Sequence, residues 1–199
     1  MQDGFFKGHA LGNDYIVLDT EELSFRLTRA RVRALCDRHR GIGGDGILAL
    51  EPSRAADFGL RIFNPDGSEA EKSGNGLRIF ARFLHATGRT RRQRFSVETR
   101  GGIVEAMLHL DRAGNASEVI IDMGRADLRP ASLPCRSRAP ELVDQIIRVR
   151  GERHRYSGVS VGNPHCVLFR EAPPGWGVED LRALGPAIER HELFPRRVN

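Results

Sequence analysis

The sequence predicts an α+β protein made of two related halves, and three observations predict it. Short apolar runs with strand character alternate with amphipathic helical patterns along the 199 residues. The helix that follows Ser73 has a pronounced 3.6-residue period: Leu77, Phe80, Ala81 and Leu84 recur at i, i+3, i+4 and i+7, with Ile79 and Phe83 widening the stripe. Finally, Gly12-Asn13-Asp14-Tyr15-Ile16-Val17-Leu18-Asp19 is answered by Gly162-Asn163-Pro164-His165-Cys166-Val167-Leu168-Phe169 at an offset of 150. Arg33-Ala34-Leu35 is answered by Arg182-Ala183-Leu184 at an offset of 149, in the same order, as duplicated halves require.

Taken in order, Tyr15 to Asp19 reads as a strand, rich in β-branched and aromatic residues. A helix from about Arg29 to His39 puts Val32, Leu35, Cys36 and His39 on one stripe, which assigns Cys36 to a core. Ile47 to Leu50 and Leu60 to Phe63 are strands. The helix from Gly76 to Thr87 stops at Gly88. Arg94 to Thr99 and Ile103 to Leu110 form a hairpin-like pair through Gly101-Gly102, and Val119 to Met123 is a further strand. The proline-rich run Arg129 to Pro140 reads as a connector, so domains of 1–125 and 126–199 are expected. Strands resume at Ile146 to Arg150, Arg155 to Val161 and Cys166 to Phe169.

Composition narrows the function classes. With 40% apolar residues the chain can bury a real core, and no apolar run approaches the length of a membrane span. The N-terminus has no basic region followed by a long hydrophobic stretch, so a cytoplasmic protein with no membrane partner is expected. Cys36, Cys135 and Cys166 are odd in number and widely spaced, which argues against a disulfide framework. No set of histidines, cysteines and carboxylates has metal-ligand spacing. The formal charge of +5 is almost all arginine, clustered at 89–94 and 148–155. These clusters lack interleaved aromatics for base stacking, so they read as solvated surface and no nucleic-acid partner is expected.

Gly41-Ile42-Gly43-Gly44-Asp45-Gly46 matches a dinucleotide-binding spacing literally, but a helix precedes it and a strand follows, the reverse of the required order. Its glycines serve tight turns, with Asp45 a loop-bonding carboxylate. Ser73 opens a helix on a Gly74-Asn75-Gly76 turn, where free amides and the helix dipole suit a carboxylate. Ser73 itself reads first as an N-cap. His165 follows Asn163-Pro164 where the second half enters its strand, matching Asn13 in the first half. A hydrogen-bonded structural histidine is the plainer role for it. Ser73 lies sixty residues after Asn13, and the same spacing from Asn163 leads to position 223, beyond Asn199.

Five blocks together resemble the diaminopimelate epimerase family, within the proline-racemase-like, cofactor-independent racemases. They are His9-Ala10-Leu11-Gly12-Asn13-Asp14-Tyr15, the run from Asp37 to Gly46, the run from Phe63 to Gly76, Gly162-Asn163-Pro164-His165, and Phe194-Pro195-Arg196-Arg197-Val198-Asn199. The resemblance implies two pseudo-symmetric domains, each a sheet wrapped around a central helix, with a substrate in the cleft between them and the second domain incomplete in this sequence. It implies no cofactor: no metal, pyridoxal phosphate or nucleotide. It also implies two opposed cysteines, one thiolate removing the α-proton while the other thiol returns a proton to the opposite face.

By position, the first of those cysteines falls on Ser73, a far weaker proton shuttle, and the block with the second lies outside these residues, in keeping with position 223. His165 is placed near the catalytic pair. Gly74 and Asn75 are implied to bind the carboxylate at the reacting centre, and Asn13, Asn64, Asn163 and Asn199 to recognise the substrate's polar groups. The implied function is interconversion of LL- and meso-diaminopimelate in lysine biosynthesis by an isomerase, with an amino-acid substrate and a homodimer as the candidate assembly. Two alternatives stand: a related amino-acid racemase or dehydratase, and a noncatalytic binding module or inactive fragment.

Overall fold

The computed structural model describes residues 3–169 and 177–199. The chain divides into two compact units, Met1–Met123 and Gly124–Asn199. Unit 1 contains β1 (Phe6–Ala10), β2 (Asn13–Asp19), α1 (Arg29–Cys36), β3 (Ile47–Glu51), β4 (Phe58–Phe63), β5 (Glu69–Ala70), α2 (Gly74–Ala86), β6 (Arg94–Thr99), β7 (Gly102–Leu110) and β8 (Ala116–Asp122). Its strands form one sheet in the order β1-β2-β3-β4-β6-β7-β8, with β5 paired to β4. Helix α2 packs against β1 and β2 at one end of this order and against β7 and β8 at the other, so the sheet curls around it.

Strand alternation divides β2 between two cores. Tyr15 and Val17 face the cluster built on Leu77, Phe80, Ala81 and Leu84 of α2, whereas Ile16 and Leu18 pack with Val32 and Cys36 of α1. β2 is therefore buried on both faces, as its nearly continuous apolar sequence suggests. Leu77, Phe80, Ala81 and Leu84 are almost completely inaccessible, and burying each large apolar side chain contributes about 1.5–3 kcal/mol.

Local chemistry moved several boundaries. Helix α1 ends at Cys36 rather than His39, because Asp37 takes extended backbone and its Oδ1 accepts the His39 and Arg40 N–H groups at 2.8 and 3.0 Å. His39 is consequently exposed and leaves the apolar stripe, while Cys36 is buried as expected. Strand β1 has no strong strand pattern of its own. It is held by pairing from Phe6↔Val17 to Ala10↔Asn13 through Leu11 and Gly12, both at positive φ (54° and 85°), as a two-residue hairpin turn requires.

Unit 2 contains β9 (Gln145–Val149), β10 (Glu152–Ser160), β11 (Pro164–Leu168) and α3 (Val178–Glu189), with an antiparallel sheet in the order β11-β10-β9. Arg150 and Gly151, at φ 55° and 89°, make the β9–β10 turn, which lets β10 start earlier than its apolar residues indicate. One sheet face packs Ile147, Val149, Tyr156, Cys166 and Leu168 with Leu184, Ile188, Phe194 and Val198. Cys166 and Leu168 answer Ile16 and Leu18 in the repeat, and each pair faces its own unit's cluster containing α3 or α1. The cluster of unit 2 includes neither His165 nor Val167, the counterparts of Tyr15 and Val17.

Candidate functional site

The site in unit 1 grows from the start of α2. Ser73 is extended (φ −143°, ψ 114°), and its Oγ accepts the Gly76 N–H at 3.0 Å, so the N-cap expectation describes its local geometry. Gly76 is tightly enclosed: a Cβ there would sit 2.9 Å from Leu48 Cδ2 and 3.2 Å from Ser73 Oγ. Gly74 is half-buried, and a Cβ there would meet Arg78 Nη1 at 3.7 Å, an ordinary van der Waals contact. The Gly74 and Asn75 amides belong to the first turn, where the helical ladder supplies no acceptor and the dipole favours negative charge.

Two of the expected recognition residues converge on this turn. Asn75 Nδ2 donates to Asn13 Oδ1 at 3.4 Å, and Asn75 Oδ1 accepts from Arg78 Nη2. Asn13 Nδ2 in turn donates to Asp45 Oδ2 at 3.1 Å, an oxygen that also accepts the Asp14 N–H at 3.2 Å. Arg38 closes the network, donating to Asp14 at 2.6 and 3.2 Å and to Asp45 Oδ1 at 2.7 Å, with Lys7 Nζ 3.2 Å from Asp14. The Arg38 guanidinium, reinforced by Lys7, holds the Asp14 carboxyl far below the usual carboxylate range against the opposing effect of burial. Asp45 is thus the loop-bonding carboxylate that the glycine-rich run suggests, and it orients Asn13.

Asn64 lies in the turn between β4 and β5. Its Nδ2 donates to Ser68 Oγ at 3.0 Å and its carbonyl accepts the Gly67 N–H at 2.9 Å, where Gly67 has φ 80°. These bonds shape the turn that leads towards Ser73, and none of them ties Asn64 to Asn13 or Asn75.

In unit 2, Asn163 follows Gly162, at φ 102°, and its buried Oδ1 has no hydrogen-bond partner among the described residues. His165 pairs with Val159 across β10–β11, and burial lowers its pKa, favouring the neutral imidazole. Asn199 is clipped to the same strand: its N–H and Nδ2 donate to Pro164 O at 3.0 and 3.2 Å, and its carbonyl accepts the Cys166 N–H at 2.8 Å. Burial pushes the Cys36 and Cys135 thiols up and Cys166 up to about 12, so none of the three is set up as a thiolate base.

Sequence reasoning missed Tyr15 and Arg78. Tyr15 Oη is 3.3 Å from Ser73 Oγ, and Arg78 holds Asn75. Signals for both exist: Tyr15 is two residues beyond Asn13, hence on the same strand face, and Arg78 is three residues beyond Asn75 on the helix.

A family model described as diaminopimelate epimerase matches residues 5–129. The chain is 36% identical over 200 residues to the diaminopimelate epimerase of Leptospira biflexa, covering 100% of this chain and 70% of the relative. It is 43% identical over 197 residues to diaminopimelate epimerase 2 of Nostoc sp., covering 98% of this chain and 66% of that one. A hydroxyproline epimerase from Agrobacterium vitis, solved with trans-4-hydroxy-L-proline bound, superposes with a TM-score of 0.63 at 18% identity, over 93% of this chain and 53% of its own. A probable proline racemase from Agrobacterium radiobacter gives 0.62 at 16% identity, over 82% and 51% respectively. The two solved structures share the α+β fold, and the sequence relatives, matched along nearly the whole of this chain, place it in the diaminopimelate epimerase family.

Proposed function

We propose that the protein serves the interconversion of LL- and meso-diaminopimelate in lysine biosynthesis, as a cytoplasmic, cofactor-independent isomerase. The observation that supports this reading best is the convergence of Asn13 and Asn75 at the helix-opening Gly74 turn, in a chain 36–43% identical to diaminopimelate epimerases. In this reading the Gly74 and Asn75 amides hold the carboxylate at the reacting carbon, where their partial positive charge stabilises the carbanion as the α-proton leaves. Asn13, Asn64, Asn163 and Asn199 recognise the remaining polar groups. Position 73 is the place of one proton-transfer residue, and neutral His165 is a hydrogen-bonding partner near the reaction. A homodimer is the assembly we assign.

A second reading, binding of the amino acid without proton transfer, is favoured by the hydrogen bonds already made by Ser73 Oγ. One experiment separates the two. LL-Diaminopimelate is incubated with the protein in deuterated water, and the α-proton is followed by NMR beside a binding titration. Loss of the α-proton with appearance of the meso form supports interconversion. Binding with exchange no faster than a protein-free control supports the second reading, and there Ser73→Cys should introduce exchange. Absence of both binding and exchange overturns both readings.

A further inference from the structure

We propose that Arg78 and Asp45 are positioning residues that set the direction of the Asn75 and Asn13 carboxamides, so that the Gly74 turn takes a carboxylate and refuses an ammonium group. This rests on the reading that the turn receives an amino acid, and it adds which group of that ligand faces the two asparagines.

A carboxamide turned over exchanges its donor for its acceptor with almost no change in shape, so its direction is fixed by neighbours that can only donate or only accept. Both kinds are present. The Arg78 guanidinium only donates, and Asn75 Oδ1 accepts from its Nη2. The Asp45 carboxylate, ion-paired with Arg38 at 2.7 Å, only accepts, and Asn13 Nδ2 donates to its Oδ2 at 3.1 Å. Turning Asn75 over would set its NH2 against the guanidinium, and turning Asn13 over would set its oxygen against the carboxylate. The two ends agree in the middle, where Asn75 Nδ2 meets Asn13 Oδ1 at 3.4 Å. Donation therefore runs one way, from Arg78 through Asn75 and Asn13 to Asp45.

The consequence is a turn rich in donors. Each carboxamide oxygen already faces a donor, whereas each nitrogen keeps a second N–H with no acceptor among the described residues. The Gly74 and Asn75 main-chain amides add to these. Charge points the same way. Asp14 and Asp45 are matched by Lys7 and Arg38, but Arg78 pairs with no carboxylate among the described residues. Its Nη1 would lie 3.7 Å from a Cβ on Gly74, so this unmatched charge stands at the turn itself. An ammonium group would bring donors to donors and a second positive charge to Arg78. A carboxylate brings acceptors and the missing counter-charge.

Two measurements test this. Neutron diffraction from deuterium-exchanged crystals distinguishes the carboxamide nitrogen from its oxygen without any substitution. Deuterium should lie on Asn13 Nδ2 towards Asp45 and on Asn75 Nδ2 towards Asn13, and either carboxamide found reversed overturns the positioning role. Competition against bound diaminopimelate reads the selectivity. Pimelate, which has the carboxylates without the amines, should displace it, and 1,5-diaminopentane, which has the amines alone, should not. Arg78→Met should weaken diaminopimelate binding about tenfold, whereas Arg78→Lys, still a donor and a cation, should stay within about threefold of wild type. Asp45→Asn should cost no more than about threefold while Arg78 still sets the direction, and about tenfold beside Arg78→Met, where neither end does. Equal losses in Arg78→Met and Arg78→Lys, equal losses from Asp45→Asn in both backgrounds, or displacement by diaminopentane as effective as by pimelate overturns the proposal with the ligand reading intact. Absence of diaminopimelate binding beside the expected deuterium positions overturns the ligand reading and leaves the direction of the chain of hydrogen bonds standing.

Discussion

Tyr15 Oη and Ser73 Oγ stand 3.3 Å apart although 58 residues separate them in sequence, and the same Ser73 oxygen accepts the Gly76 N–H. A helix cap and a core tyrosine thereby share one atom, which couples the stability of α2 to the chemistry of the turn.

Ser73→Ala removes the cap and leaves the Tyr15 phenol without its hydrogen-bond partner among the described residues. Loss of a serine cap costs about 1 kcal/mol, and the orphaned phenol adds about 1 kcal/mol or more. The expected total is about 2 kcal/mol in urea unfolding, with a smaller loss in Ser73→Ala/Tyr15→Phe than the sum of the single variants.

Gly46→Ala tests how the glycine-rich loop supports the site. The new Cβ would lie 2.4 Å from Phe63 O and 2.7 Å from Tyr15 Cε1, neither of which is the end of a flexible chain. Overpacking of this kind typically costs about 1–3 kcal/mol, and the upper end is expected because backbone must move. Denaturant unfolding measures the loss, and displacement of the Tyr15 ring signals by NMR checks its cause.

The pH dependence of Asp14 has a definite sign. Its folded-state pKa is depressed, first by the Arg38 hydrogen bonds and then by Lys7, against burial. The resulting stabilisation is fully present above the unfolded-chain value of about 3.9 and is lost as pH falls towards the lower folded value. Asp14→Asn should cost about 1–2 kcal/mol at neutral pH, a discounted figure because the Arg38 side chain is 53% exposed. The gap between variant and wild type should close in urea unfolding carried from neutral pH into acid.

Thiol labelling should report the raised pKa values. Cys36, Cys135 and Cys166 are free, and burial disfavours the thiolate of each. An aromatic disulfide reagent at about pH 8 should therefore react slowly with the native protein and rapidly with all of its thiols in denaturant. Ser73→Cys should add one fast-reacting equivalent, because position 73 is half-buried at a helix N-terminus.

The cores and turns were readable from the chain because they rest on local periodicity. Leu77, Phe80, Ala81 and Leu84 announced α2 by spacing, and at the 150-residue offset Ile16 and Leu18 correspond to Cys166 and Leu168, each pair facing its own unit's cluster, while His165 and Val167 lie outside theirs. Asp45 was readable as a loop carboxylate, though its bond to Asn13 was not. Strand β1 escaped notice because Phe6-Lys7-Gly8-His9-Ala10 owes its conformation to β2 rather than to its own residues. The end of α1 was misjudged because the Asp37 side chain competes for the amides of His39 and Arg40.

By itself the sequence determined the α+β class, the family and the Ser73 cap, since each is written in the order and spacing of nearby residues. Only the tertiary structure decided that Asn13 meets both Asp45 and Asn75, and that Tyr15 Oη comes within 3.3 Å of Ser73 Oγ. Those contacts join segments 32, 62 and 58 residues apart. Which side chains meet at such a junction depends on how the sheet and helix pack, a property that no local pattern encodes.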